Sequence, residues 1–288
     1  MDYLISKDLL AIRELLGISQ NELASRLDVQ QITLSRIETE TTKPSDRLME
    51  KIYGYAFDKN INLGRLKEML WSESLKSNHK LLFHGAKNEI KGNINVHIGR
   101  SNNDFGHGFY TGENYAQAVS FISGFEQSCV YFIDFDPTGL RCRQCNVDRD
   151  WMLTIAYYRG TLEQYRSHPL LHTLIKESQD CDYIIAPIAD NRMFQIINSF
   201  VSGEITDEQC KHCLAATNLG LQYVFLTEQS VKNIRLLERT YVSKKEREYY
   251  QNIRTMDAKL GEDKVKLARI EYRGQGRYID EILGGVQN

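Results

Sequence analysis

No stretch of this 288-residue sequence approaches the run of ~18–20 apolar residues that a helix needs to cross a bilayer. A helical membrane protein is therefore excluded. The first residues, MDYLISKDLLAIRELL, lack the basic and apolar regions of a secretion signal, and their acidic residues and helical periodicity predict a folded first helix. The chain is expected to stay in the cytoplasm, with no membrane partner. A charge surplus is missing as well: 36 Lys and Arg against 38 Asp and Glu leave a formal net charge of −2. That excludes a global electrostatic pull toward nucleic acid and leaves room for a local basic patch. Internal repeats and low-complexity runs are absent. What remains is ordinary globular composition, 42% hydrophobic and 26% charged, with length enough for two domains.

The six cysteines include two CxxC spacings, Cys142 with Cys145 and Cys210 with Cys213, which together could offer four thiolates to zinc. Their settings predict otherwise. LRCRQC reads as a strand or strand edge, and in TDEQCKHCLAAT the two thiols fall at i, i+3 on one helical face. Reduced, partly buried thiols and no metal are expected.

Residues 9–57 read as a helix-turn-helix. An amphipathic helix over 9–16 is stopped by Gly17, and Ser19 with Glu22 forms a capping box that opens a helix over 20–27. A short turn at Asp28 and Val29 leads into a helix over 30–38. Ile32, Leu34 and Ile37 are expected to face its core, leaving Gln30, Gln31, Thr33 and Arg36 outside. Pro44 breaks the chain, Ser45 caps a fourth helix to about 57, and 63–71 reads as a fifth. The run Arg13, Gly17-Ile-Ser-Gln20, Glu22-Leu-Ala24, Ser35-Arg-Ile-Glu38 and Pro44-Ser45 resembles the phage-repressor (Xre-like) family. The resemblance implies that the second helix of the pair enters the major groove, where Gln suits adenine and Arg suits guanine or phosphate. Because acidic and basic residues nearly balance over 1–76, a dimerisation or protein-docking module is the alternative.

The chemistry concentrates in residues 81–112, LLFHGAKNEIKGNINVHIGRSNNDFGHGFYTG. An apolar strand end delivers His84 and Gly85, and Asp104-Phe105-Gly106-His107-Gly108-Phe109-Tyr110 brings backbone and aromatic surface close to a ligand. Such groups suit a planar aromatic amide on a ribose. The DFG here lacks a kinase's strand lysine and HRD-type loop, and the GxG lacks the third glycine of a dinucleotide fingerprint.

HG followed about two dozen residues later by GxGFY resembles the His–Tyr–Glu class of NAD-dependent ADP-ribosyltransferases. More narrowly, DFGHGFYTG, Gln117-Ala118 and Ala189-Asp190-Asn191-Arg192 resemble the bacterial DUF3990 family, over roughly residues 80–242. The resemblance implies a transferase fold in which His84 bonds an NAD ribose hydroxyl, Gly85 grips the carboxamide and Tyr110 stacks on the nicotinamide. Gly108 and Phe109 complete the platform. Asp104, Asp190, Asn191 and Arg192 are further candidates for the NAD site, with Arg192, and more weakly Arg100, suited to the pyrophosphate. The class carries a Glu on a late strand to offset positive charge on the ribose. The matching position in LQYVFLT is Gln222, which can accept from a hydroxyl and brings no charge. Asp104 or Asp190 is the candidate source of that charge.

Elsewhere, strands are expected over 128–135, 182–188, 221–226 and 234–242. Helices are expected over 114–124 and 151–158, from about 193, and from Thr206 behind a capping box with Gln209. Strands and helices without a regular alternation predict an α+β fold. The expected organisation is a five-helix helix-turn-helix domain over 1–76, an ADP-ribosyltransferase-like domain over 80–242 and a charged, partly helical tail over 243–288. The leading function is a mono-ADP-ribosyltransferase using NAD, as a bacterial toxin or phage-defence effector, with an unidentified acceptor and a possible antitoxin, DNA or second copy as partner. The alternative is a DNA-binding regulator whose transferase-like domain senses NAD or another nucleotide without catalysis.

Overall fold

A computed structural model describes residues 1–97, 100–215 and 220–284. The expected tail reaches residue 288, so its positions 285–288 lie outside the described residues. The fold mixes helices with strands, and the chain divides into two units that each draw on three stretches of sequence. The first comprises 1–92, 114–136 and 235–253; the second comprises 93–113, 137–234 and 254–288.

Five helices open the first unit: α1 (Ile5–Leu16), α2 (Gln20–Leu27), α3 (Gln31–Glu38), α4 (Asp46–Asp58) and α5 (Leu63–Ser74). Gly17 ends α1 in the left-handed region at φ 61°, so that its own N–H reaches back to the Glu14 carbonyl and the Ile18 N–H to that of Arg13. The capping box is present: the Glu22 N–H donates to Ser19 Oγ at 3.2 Å and the Ser19 N–H to Glu22 Oε2 at 2.7 Å. Leu9, Ile12, Leu23, Leu34 and Ile37 form the buried centre of this bundle. Ile32 departs from expectation and is 47% exposed. Leu34 and Ile37 define the inward face of α3, and a residue two before Leu34 points about 200° away from it.

Behind the helices, β1 (Lys80–Ala86) pairs antiparallel with β3 (Cys129–Phe135), and β7 (Ile234–Tyr241) extends the strand set. The helix α6 (Tyr115–Ile122) covers β1 and β3 through Tyr115, Val119 and Ile122, which pack on Phe83, Val130 and Phe132. Asn114 caps it, accepting from the Gln117 N–H at 2.9 Å.

In the second unit the strands run in the order β4 (Cys142–Gln144), β5 (Tyr183–Pro187), β6 (Leu221–Phe225), β2 (Phe109–Gly112). The β4–β5 pair is parallel and the other two are antiparallel. Packed with them are α7 (Arg149–Tyr158), α8 (Pro169–Gln179), α9 (Asn191–Val201), α10 (Asp207–Ala215), the short α11 (Glu228–Lys232) and α13 (Ile279–Leu283). Trp151, Ile155, Leu171, Ile184, Ile197 and Val224 belong to one apolar core. Cys210 and Cys213 lie fully buried on α10, while Cys142 is exposed. Thr206 and Gln209 exchange the expected capping bonds, both at 3.2 Å. The tail folds into a 28-residue helix, α12 (Lys244–Glu271). Among the described residues, no helix is long and apolar enough to cross a membrane.

Candidate functional site

On the helix-turn-helix, Gln30 is the N-cap of α3, and Gln30, Gln31 and Arg36 are exposed, with Thr33 half-buried beside them. A polar chain aims this face. Arg13 on α1 donates to both oxygens of Glu38, at 2.7 and 3.1 Å, and Glu38 also accepts from Gln20 Nε2 at 2.9 Å. The Gln20 carbonyl in turn accepts from Gln31 Nε2. The fork on Glu38 holds the Arg13 guanidinium protonated above its ordinary range. One N–H of Gln31 is thereby committed, leaving its second N–H and its carbonyl, the pair that reads adenine.

The second constellation is built around a buried carboxylate. Asp104, 5% exposed, accepts from Arg159 Nε at 2.9 Å and Nη2 at 2.5 Å, from the Ala189 N–H at 3.2 Å, and from Gln222 Nε2 at 2.8 Å. Arg159 also donates to the Ala189 carbonyl at 2.6 Å, and its guanidinium lies 4.5 Å from the centre of the Phe194 ring. Gln222 gives its other N–H to the Pro187 carbonyl at 3.1 Å. Asp104 and Pro187 offer acceptors alone, so the nitrogen of Gln222 must face them and its Oε1 is the acceptor left over.

Tyr110 pairs with Val224 and Gly112 with Gln222 across β2 and β6. Alternation along the strands therefore sets Tyr110 and Gln222 on one face. The Tyr110 hydroxyl is engaged: it donates to the Gly106 carbonyl at 2.8 Å and accepts from the Phe105 N–H at 3.1 Å. It thus pins the loop that carries Asp104. Burial raises its pKa well beyond the ordinary phenol range. Burial likewise pushes neighbouring Tyr158 up to about 12. Gly108 lies so close to β6 that a Cβ there would come 3.0 Å from the Phe225 carbonyl, and the ring of Phe109 packs near that of Phe225.

Asp190 caps α9. Its Oδ1 accepts from the Arg192 and Met193 N–H groups, both at 3.0 Å, and its Oδ2 pairs with Arg192 Nε at 3.2 Å and Arg254 Nη2 at 3.6 Å. Asn191 is exposed in the first turn of α9, and Arg100 is exposed in its loop. In the first unit, His84 is half-buried on β1 opposite Tyr131. A Cβ on Gly85 would fall 2.6 Å from the Ala118 carbonyl, so α6 alone requires a glycine there.

The second unit thus joins Asp104, Gln222 and the Asp190 segment through Ala189, with Tyr110 on the same strand face. Sequence reasoning missed Arg159. It follows directly on the helix expected over 151–158, and a basic residue at a helix C-terminus carries no signal that it turns inward.

Two stretches of the chain match described families. Residues 9–52 match "Helix-turn-helix" (HTH_3), and residues 81–236 match "Protein of unknown function (DUF3990)". Neither a curated protein nor a solved structure matches the chain.

Proposed function

This chain belongs to the DUF3990 family, of unknown function, and from its site chemistry we propose that it is a DNA-binding regulator whose DUF3990 segment binds NAD or a related nucleotide without turning it over. The helix-turn-helix supplies the DNA contact, through Gln30, Gln31, Thr33 and Arg36. One observation carries the absence of turnover. Gln222 occupies the late-strand position where a transferase needs a carboxylate, and Asp104, the nearest acid, is neutralised by the Arg159 fork. Cleaving nicotinamide from ribose develops positive charge on the sugar, and an acid already paired with guanidinium offers it little. The nucleotide ligand rests on the likeness of the HG and GxGFY sequence runs to those of the transferase class.

A second reading, mono-ADP-ribosyl transfer, is favoured by the free Oε1 of Gln222, which can accept from a ribose hydroxyl. One experiment separates the two. Operators are selected from random DNA with the full chain, operator binding is measured with and without NAD, and labelled NAD is followed in cell lysate. Sequence-specific retention that responds to NAD, with no label transferred, supports the regulator. Label fixed on a lysate component replaces that reading with the transferase.

A further inference from the structure

A groove of about 760 Å³ runs between α1 and α5, the size of a small-molecule site. Its walls are apolar: Leu15, Leu66, Met69 and Leu70 line it and are exposed. Its floor is ionic. Lys67 Nζ sits between Asp8, at 2.6 Å, and Glu238 of β7, both buried. The Tyr53 hydroxyl donates to Asp8 at 2.5 Å and the Trp71 indole N–H to Glu238 at 3.1 Å. Two carboxylates share one ammonium, so the floor carries a formal charge of −1. Over the whole lining the ionisable groups are Lys7, Asp8, Glu14, Lys67, Glu73 and Glu238, two positive and four negative.

We propose that this groove binds an amphipathic cation, a small molecule with an apolar body and one amine. The floor selects the ligand. Asp8 and Glu238 are already buried, so the water in the groove is what screens their net negative charge. An occupant excludes that water, and leaving a buried charge uncompensated is costly. A neutral apolar ligand strands that charge and an anion adds to it. A cation cancels it while its apolar body covers the leucines and Met69. The proposal does not rest on the regulator reading, because it concerns binding alone.

The test uses the full chain and three probes of one length: octylamine, 1-octanol and octanoate, followed by calorimetry and thermal shift at pH 7. Octylamine should bind roughly tenfold or more tighter than octanol, about 1.4 kcal/mol or above, with octanoate weakest. Glu238→Gln leaves one carboxylate against Lys67, so the preference for the amine over the alcohol should vanish while octanol still binds. Leu70→Ser, at a wall position 65% exposed and so tolerant of change, should weaken all three probes. Equal binding of the probes, a preference that survives Glu238→Gln, or no binding at all overturns the proposal. So does a wild-type dimer that Leu70→Ser dissociates and octylamine ignores, since the groove would then belong to a second copy.

Discussion

The amide nitrogen of Gln222 lies 2.8 Å from a carboxylate oxygen of Asp104 that also accepts the Ala189 N–H. The contact explains why position 222 is neutral. A carboxylate there would face Asp104 and the Pro187 carbonyl, two acceptors and no donor. Gln222→Glu is therefore expected to destabilise the protein by about 3 kcal/mol at pH 8, read from urea unfolding. The loss should shrink toward pH 5, where the new carboxyl keeps its proton and can donate to Asp104. A Glu variant as stable as wild type at pH 8 would show that Asp104 is not held against this side chain.

Arg159 is the cation that makes Asp104 tolerable in the interior, with the two side chains 17% and 7% exposed. Arg159→Met strands the carboxylate and should cost about 3–5 kcal/mol. Adding Asp104→Asn should return part of that loss, so the two changes together should cost less than their sum. Strict additivity in a double-mutant cycle would mean that the pair does not act as a unit.

The helical half of the fold was legible because its signals are local. Ser19 with Glu22, Gly17 and Ser45 mark helix ends by chemistry within a few residues, and α2 falls over the expected 20–27. In the second unit β5 and β6 were found from apolar runs and β4 from LRCRQC, but β2 was read only as part of a glycine-rich segment facing a ligand. The helix α8 was passed over although Pro169 stands at its first turn, a recognised start signal. The cluster around Asp104 was legible in two of its residues and not in its partnerships. Asp104 and Gln222 were both singled out, as a charge source and a ribose contact, but 118 positions separate them and no local pattern announces their bond. Arg159, the third member, carried no signal. Gly85 and Gly108 were read as making room for a ligand. Each also makes room for its own neighbour, Ala118 in one case and Phe225 in the other.

A buried carboxyl gives the first unit a pH dependence. Glu246 on α12 is buried and accepts from the Tyr115 hydroxyl at 3.0 Å. Desolvation pushes its pKa from 4.5 up to about 7, against the opposing pull of the Tyr115 bond. The folded chain therefore holds this proton more tightly than the unfolded chain. Its contribution to stability is fully present below pH 4.5 and is lost as pH rises to about 7. The expected loss is about 3 kcal/mol at roughly 1.4 kcal/mol per pH unit. Glu246→Gln should flatten that slope in unfolding curves taken from pH 4.5 to 7.5, while wild type keeps it. Equal slopes in the two proteins would assign the pH dependence elsewhere.

The recognition face makes a graded prediction, because Gln31 is aimed by Gln20 and Gln20 is held by Glu38. Gln31→Ala removes a base reader and should cost about 1–3 kcal/mol at one base position, relaxing specificity there. Gln20→Ala leaves the reader in place and releases its aim. It should cost less, and at the same base position. Arg36 is exposed on α3, and a guanidinium suits phosphate. Arg36→Ala should weaken binding to all sequences alike and reduce the slope of log K against log salt by about 0.9. Operator binding measured for the three variants across a salt series, with each base pair of the site changed in turn, gives these quantities together. If Gln20→Ala shifts a different base position from Gln31→Ala, the two glutamines read DNA separately and the Arg13–Glu38–Gln20–Gln31 chain does not aim the helix.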